Sequence, residues 1–433
     1  MREMKDSGIE WIGEIPKEWE TTEIKHYCLS VFAGGTPQSN NQSYWGGDIP
    51  WLPSGSCHDC KIYSAPKTIT KSGFENSSTK LIPKNTALVA MTGATCGNTG
   101  YLTFESCANQ SVTAYVENPK IANSLFIWYI LQAAKTHLLT YQTGGAQGGI
   151  NVENCKNIVV PFVPMSEQVI IADYLDDKCG KIDRYIEQQK QVIEKLKAYK
   201  QSVITEAVTK GLDPTVPMKD SGVEWIGEIP EHWKIGKIGY VTTKIGSGKT
   251  PKGGAEVYSL DGVLFLRSQN IYDDGLRIDD ATFITEEIDE EMSNTRVYKD
   301  DVLLNITGGS IGRSCIYSLD EHANVNQHVC IIRTTAKEIT PRYMHYFWIS
   351  DSGHTSISIH QTGANREGLN FEHISKTWMP FMPISEQRDI CDYLDKKCFS
   401  IDSAIKEKQT LIEKLTEYKK SLIYEVATGK KEV

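Results

Sequence analysis

The sequence predicts an α+β protein made by tandem duplication. Two globular domains are each followed by a long helix, and the two helices pair as an antiparallel coiled coil. Three observations lead there. A leader segment recurs at an offset of 214 (218 − 4), and a helix-forming stretch recurs at an offset of 219 (385 − 166). The regions between them share one skeleton of short apolar runs and glycine turns. Repetition across a whole chain marks each copy as one structural unit. At 433 residues the chain also exceeds one ordinary core, so two or more domains are expected.

The leader runs Met4-Lys5-Asp6-Ser7-Gly8-Ile9-Glu10-Trp11-Ile12-Gly13-Glu14-Ile15-Pro16 and returns as Met218-Lys219-Asp220-Ser221-Gly222-Val223-Glu224-Trp225-Ile226-Gly227-Glu228-Ile229-Pro230. A further tryptophan follows each copy, Trp19 and Trp233. Trp11, Trp19, Trp225 and Trp233 are read as apolar anchors that fix the leader, with a docking surface as the lesser alternative.

The regions that follow match at intervals. Gly34-Gly35-Thr36-Pro37 aligns with Gly248-Lys249-Thr250-Pro251, and Ile49-Pro50-Trp51-Leu52 with Val263-Leu264-Phe265-Leu266. Ala87–Gly93 aligns with Val302–Gly308, Asn109-Gln110 with Asn326-Gln327, and Gln142-Thr143-Gly144 with Gln361-Thr362-Gly363. Short apolar runs bounded by Gly, Asn, Ser and Thr predict strands and loops. Ser124–Leu139 and Pro341–Ile349 are predicted helices. The glycines and strands are kept while the polar residues between them differ, as two readers of two different ligands would require.

The long helices begin near Pro164-Met165-Ser166-Glu167-Gln168 and Pro383-Ile384-Ser385-Glu386-Gln387. Ser166 and Ser385 suit an N-cap, with the next carboxylate near the positive end of the helix dipole. Ile182, Ile186, Ile193, Leu196, Val203 and Ala207 are spaced 4, 7, 3, 7 and 4, a heptad-like stripe. Ile401, Ile405, Ile412, Leu415, Leu422 and Val426 repeat it. Gln189, Lys200, Lys408 and Lys419 interrupt the two stripes at matching places. Gly211 and Gly429 are the expected stops. Two matched stripes are predicted to bury against each other; the plainer alternative packs each helix on its own domain. A helix of about 28 residues spans roughly 40 Å, near the 34–36 Å or so of one DNA turn. The expected organisation is 1–163 leader and first domain, 164–211 first helical region, 212–217 a proline-bearing junction, 218–382 leader and second domain, and 383–433 second helical region.

Composition narrows the classes. No run of about 18 apolar residues predicts a membrane span, and the N-terminus lacks an apolar signal region. A cytoplasmic location is expected, and the 11 scattered cysteines fit reduced thiols. The net charge of −9 excludes a general basic coat for nucleic acid. Local patches stay open: residues 21–160 hold nine Lys/Arg against seven Asp/Glu, and residues 235–380 hold fourteen against nineteen. Much of the acidic excess lies between Asp273 and Asp301, and is expected to face away from phosphate. The chain alone is expected to bind DNA weakly and to need a basic partner.

The leader, the Pro164–Gln168 start of the long helix, and the repeat of both resemble the specificity subunit of a Type I restriction–modification enzyme over essentially the whole chain. The resemblance implies two target-recognition domains, each reading one half of a split, asymmetric site in double-stranded DNA. It implies that the helices fix the unread spacer and dock two modification subunits. Those subunits carry S-adenosylmethionine and methylate adenine, while restriction/translocase subunits add ATP- and Mg-dependent translocation and cleavage. No cofactor and no catalytic residue is implied for this chain.

Other motifs have weaker claims. Gly246-Ser247-Gly248-Lys249-Thr250 lacks the early glycine of a phosphate-binding loop, where Thr243 stands, and Pro251 follows it. Cys57-His58-Asp59-Cys60 has metal-type spacing but no second ligand pair. An Asn/Asp-Pro-Pro-aromatic segment for adenine methylation is absent, since Asn118-Pro119 is followed by Lys120. His328 and His345 are read as packed or hydrogen-bonded.

Base reading uses Arg/Lys on guanine and Asn/Gln on adenine, with hydroxyls and amides on phosphate. Polar, glycine-flanked loops are where such residues sit. The candidates are Gln38, Ser39, Asn40, Asn98, Gln110, Gln142 and Gln147 in the first domain. In the second they are Lys249, Lys252, Arg267, Gln269, Asn270, Arg313, Gln361, Asn365 and Arg366. Because Asn109-Gln110 and Asn326-Gln327 recur, they point to a structural or phosphate role more than to base choice. Two rivals remain: an enzyme acting on DNA by itself, which the missing motifs oppose, and a duplicated protein-binding scaffold, which the acidic charge would suit.

Overall fold

The computed structural model describes residues 2–143, 148–335, 337–360 and 368–433. They form two compact units. Unit 1 is Met1–Lys190 with Gln409–Val433, and unit 2 is Gln191–Lys408. The long helices, Met165–Lys210 and Ile384–Ala427, each begin in one unit and end in the other.

Unit 1 opens with a leader hairpin in which Met4–Asp6 pairs antiparallel with Glu14–Pro16. Strand Glu20–Glu23 then pairs with Val159–Phe162 and joins the two ends of the domain. Between them lies a five-stranded sheet in the order Cys28–Ala33, Val112–Glu117, Thr86–Ala90, Thr99–Leu102, Cys60–Ile62. A three-stranded sheet is built around Trp45–Leu52. The period of two in a strand divides the core. Ala87, Val89 and Tyr115 face one apolar cluster with helix Ser124–Ala133, whereas Leu88, Ala90 and Ala114 face a second cluster with Leu52 and Ala108.

Unit 2 repeats the plan. Its leader hairpin pairs Met218–Asp220 with Glu228–Pro230. A four-stranded sheet runs Thr242–Ser247, Val329–Thr334, Val302–Asn305, Ser314–Ile316. A second sheet is built around Val263–Leu266. Val302 and Leu304 face the helical cluster and Leu303 the other.

In each unit a helix start packs against a helix end. Ile171, Ala172, Leu175 and Cys179 share a core with Leu422, Ile423, Val426 and Ala427 in unit 1. In unit 2, Ile390, Cys391, Leu394 and Cys398 share one with Val203, Ile204, Ala207 and Val208. The pairing is therefore antiparallel. Of the stripe, Ile193, Val203, Ile401 and Leu422 are buried, and Ile182, Ile186, Leu196, Ile405, Ile412 and Leu415 are half-buried. Two of the three interrupting lysines meet carboxylates across the pair. Lys419 Nζ lies 2.7 Å from both oxygens of Asp183, and Lys200 Nζ lies 2.8 and 2.7 Å from those of Asp402. The two bridges are the same bridge twice, since 419 − 200 and 402 − 183 are both 219.

The helices are longer than the stripe implied, at 46 and 44 residues instead of about 28. The extra turns at each start belong to the domain cores. Each helix also begins one residue before the serine expected to cap it, with Pro164 O accepting from Glu167 N and Gln168 N. Ser166 and Ser385 thus lie inside the first turn. Gln168 and Gln387 secure the start instead. Fully buried Gln168 accepts from Asn123 N (2.9 Å) and donates to Ile121 O (3.0 Å) and Val163 O (2.8 Å). Gln387 accepts from Thr340 N (2.8 Å) and donates to Glu338 O (2.7 Å) and Met382 O (3.0 Å). At the far ends Gly211 and Gly429 adopt φ +76° and +77°. Buried Trp19 packs on Gly429 and buried Trp233 on Gly211; a Cβ at 429 would lie 2.7 Å from Trp19. Trp11 and Trp225 are half-buried.

The expected helix Ser124–Leu139 breaks at Ala134 into Ser124–Ala133 and Lys135–Thr140. Pro341–Ile349 is found as expected, but Asp351–Ile359 is a further helix. Its polar, glycine-bearing sequence has poor intrinsic propensity, and Ser350 starts it by capping Gly353 N at 3.2 Å.

Replacing Gln168 by Leu orphans the buried Val163 O and removes the bonds to Asn123 N and Ile121 O at partly exposed residues, so it should cost about 2–3 kcal/mol. Urea denaturation of the purified protein reads that loss, and Met165→Ala at an exposed position beside it should change stability by less than about 1 kcal/mol.

Candidate nucleic-acid interface

The glycine turn that follows the first strand of each domain is held by the same contacts in both. A Cβ on Gly34 would lie 2.0 Å from Ala108 O, and one on Gly248 would lie 1.6 Å from Val325 O. The hydroxyl of Thr36 donates to Gln110 Oε1, and that of Thr250 donates to Gln327 Oε1. Asn109 Oδ1 accepts from Ser111 N at 3.1 Å, and Asn326 Oδ1 accepts from His328 N at 3.1 Å. The recurring Asn-Gln pair therefore fixes the turn. The strand Thr242–Ser247 ends at this turn, Pro251 follows, and the next helical turn is the short Gly254–Val257. Lys249 Nζ donates to Glu291 O at 3.0 Å.

A second shared device is a carboxylate. Asp59 Oδ1 accepts from Thr99 N at 2.7 Å, and Asp273 Oδ1 accepts from Ser314 N at 3.0 Å. Past Leu52 and Leu266 the repeat continues at offset 214, so Cys57-His58-Asp59-Cys60 is the counterpart of Ile271-Tyr272-Asp273-Asp274. Cys57 and Ile271 are both buried, and burial pushes the Cys57 thiol up to about 12. The other Asp59 oxygen accepts from Lys135 Nζ at 2.7 Å. Burial raises the Asp273 carboxyl above its usual range. The metal-like spacing is thus one copy of a loop whose aspartate ties two turns together.

The acidic run of unit 2 differs from expectation in part. Asp289 and Asp301 point inward. Asp301 meets Arg333 through Nε and Nη2, both at 2.7 Å, and accepts from Tyr298 N at 2.8 Å. Asp289 meets Arg296 at 2.6 Å, Asn324 at 2.8 Å and His322 at 3.1 Å. Burial pushes the Asp289 carboxyl up, but these donors outweigh it and hold it below the usual range. Both carboxylates staple strands of unit 2. His328 Nδ1 bonds the Thr307 hydroxyl and His345 Nδ1 the Ser314 hydroxyl.

The pattern described as "Type I restriction modification DNA specificity domain" matches twice, over residues 16–198 and 230–416. The chain belongs to this family. Among curated relatives, it is 23% identical over 420 residues to the Type I restriction enzyme MjaVIII specificity subunit of Methanocaldococcus jannaschii, covering 96% of this chain and 93% of that one. It is 20% identical over 436 residues to the EcoKI specificity subunit of Escherichia coli K12, covering 96% and 90%. Among solved structures, a chain from work on complex assembly and conformational transition of the type I R-M system aligns with a TM-score of 0.73 at 14% identity. It covers 95% of this chain and 98% of that one. The α+β duplication with paired long helices is the fold of that structure too.

Within this specificity-domain scaffold the candidate residues divide into four groups. Gln38, Ser39, Asn40, Gln110, Gln142, Lys249, Lys252 and Gln269 are exposed. Of these Gln110 is tied to Thr36, Lys249 to Glu291 O, and Gln142 Nε2 to Gly148 O at 3.0 Å. Asn98 and Asn270 are engaged inside the protein. Asn98 bonds Cys57 O and Lys135 Nζ, while Asn270 bonds Arg267 N and Arg277 O. Arg267 and Arg313 are half-buried, with guanidinium groups 5.7 Å from the Tyr258 ring and 4.7 Å from the Tyr272 ring. Gln147, Gln361, Asn365 and Arg366 lie outside the described residues. Among the described residues no helix is long and apolar enough to cross a membrane.

Gly248→Ala forces a Cβ into backbone and should destabilise unit 2 by at least about 2 kcal/mol. Gly246→Ala has open space around it and should stay within about 1 kcal/mol of the parent, both read by thermal melting.

Proposed function

We propose that this protein is the DNA specificity subunit of a Type I restriction–modification complex. Unit 1 and unit 2 each read one half of a bipartite, asymmetric site in double-stranded DNA. The chain contributes no catalysis of its own. The paired helices set the length of the unread gap and dock two modification subunits, which hold S-adenosylmethionine and methylate adenine. Restriction/translocase subunits bring ATP and Mg, and the assembly works in the cytoplasm.

The observation that carries this reading is a scaffold used twice with different surfaces. The turn around Gly34 and its counterpart at Gly248 are held by the same bonds, yet the polar side chains displayed around them differ. Phosphate contacts position a protein on DNA and carry no sequence information, while base-edge contacts specify. Two scaffolds with unlike polar loops are suited to two unlike half-sites. The exposed candidates Gln38, Ser39, Asn40, Lys252 and Gln269, with Arg267 and Arg313, are the DNA-facing set in this reading. The net charge of −9 leaves most of the phosphate attraction to the partner subunits.

Base-resolution mapping of N6-methyladenine tests this directly, with the chain co-expressed with its modification subunit in a host lacking such methylation. A single split motif with a fixed gap is expected. Exchanging residues 21–160 for the matching region of another family member should change one half of that motif only; a change in both halves would sink the modular reading.

Inserting one heptad at matched places in both long helices should lengthen the gap by at most about three base pairs and leave both half-sites intact. An unchanged gap would remove the helices from that role.

A further inference from the structure

Beside the glycine turn of unit 1 lies an open groove of about 660 Å³. Thr36, Ser39, Gln42, Trp45, Lys67 and Thr68 line it. Trp45 forms its apolar wall, stacked edge-on against Trp51 at 5.0 Å and anchored by its Nε1 to Gln38 O at 3.3 Å. Lys67 Nζ stands 5.6 Å from the Trp45 ring. Among the described residues, the side chains of Ser39, Gln42 and Thr68 make no hydrogen bond within the protein, and Lys67 makes no ion pair. This contrasts with Asn98, whose amide is satisfied internally. A concave surface with an aromatic wall and free polar groups is built to receive a ligand.

The repeat shows which of these groups could choose. Gln42 sits in the helical turn Gln42–Tyr44 after the glycine element, and Glu256 sits in the corresponding turn Gly254–Val257 of unit 2 (256 − 42 = 214). Strand register gives the second pair: Trp51 faces Lys67 in unit 1, and Phe265 faces Thr282 in unit 2. So the position in the repeat is kept, by sequence offset for the first pair and by strand register for the second, while an exposed amide becomes an exposed carboxylate and an exposed lysine becomes a half-buried threonine. An amide matches adenine N6 and N7 bidentately; a carboxylate accepts from the cytosine amino group.

We propose that this groove is where unit 1 reads base edges. Gln42 is the specificity-determining residue and takes an adenine, Lys67 neutralises a phosphate beside it, and Glu256 holds the same place in unit 2 and takes a cytosine. The inference rests on the DNA-reading role proposed above. The test uses the full chain with its modification subunit and the half-sites assigned by the domain exchange. Gln42→Glu should lower methylation of sites with adenine at one position of unit 1's half-site by about tenfold or more. The gap and the other half-site should stay as they were. Gln42→Ala should relax that position without a new preference, and Glu256→Gln should act on the other half-site alone. Lys67→Ala should lower binding on all sequences alike and flatten its salt dependence by about one ion. Co-purification of the modification subunit with each variant checks folding. A Gln42→Glu complex that assembles and keeps the parent's preference at every position overturns the proposal, as does a change in unit 2's half-site. A parent complex with no sequence preference overturns the DNA-reading role itself, and the groove's assignment with it.

Discussion

A helix of more than forty residues with one apolar stripe must have that stripe covered along its length, because most helical stability in water comes from packing an amphipathic face. The chain meets this constraint by exchange. Each long helix is covered at its start by the core of the domain that precedes it, and at its end by the core of the other unit. Unit 1 is built from two separate stretches of sequence, and unit 2 takes in the second part of the preceding long helix. Unit 1 needs Leu422, Ile423 and Val426 from the last turns of the chain, and Trp19 closes over Gly429 there. Unit 2 needs Val203, Ile204 and Val208, with Trp233 against Gly211. The leaders, which look like mere N-terminal extensions of each domain, are the parts that grip the incoming helix ends.

The polar groups on the helices serve register. Apolar stripes alone tolerate slipping by a heptad, since every a and d position is similar. Lys419 on Asp183 and Lys200 on Asp402 oppose a slip of one heptad in one direction, which would set Lys419 opposite Lys190 and Lys200 opposite Gln409 and lose both pairs. These pairs are partly exposed, so their direct worth to stability is small. Gln168 and Gln387 act differently. Each is itself buried and bonds an N–H and two carbonyls, so it ties the start of the helix to its domain.

The stripe, the two stops and the duplication were legible because they depend on periodicity and on glycine, both of which sequence displays directly. The class, the doubled architecture and the antiparallel pairing followed. What was hidden depends on partners distant in sequence. Gln168 reads as one more polar residue of a helical start, and its partner Asn123 is 45 positions away. Asp59 was masked by neighbouring cysteines that imitate a metal motif, although continuing the alignment from Trp51-Leu52 to Phe265-Leu266 brings Asp273 opposite it. The acidic run of unit 2 was read by charge alone, whereas Asp289 and Asp301 are internal ties to Arg296 and Arg333. Asn98 is a candidate reader by its place in a polar, glycine-flanked loop, and only the bonds to Cys57 O and Lys135 reveal that its amide is engaged.

The duplication separates scaffold from specificity inside one molecule. Positions that keep both residue type and bond in the two copies answer to the fold: Thr36 and Thr250, Gln110 and Gln327, Asp59 and Asp273, Gln168 and Gln387. Positions that keep only the backbone and change the side chain are free of that demand. Gln42 and Glu256 are of this second kind, exposed in the turns that follow the glycine element of each unit. A fold that tolerates amide or carboxylate at one place, with no internal partner for either among the described residues, leaves the choice between them to whatever binds there. Bases differ at their edges by the exchange of donor and acceptor, and an amide and a carboxylate differ in the same respect.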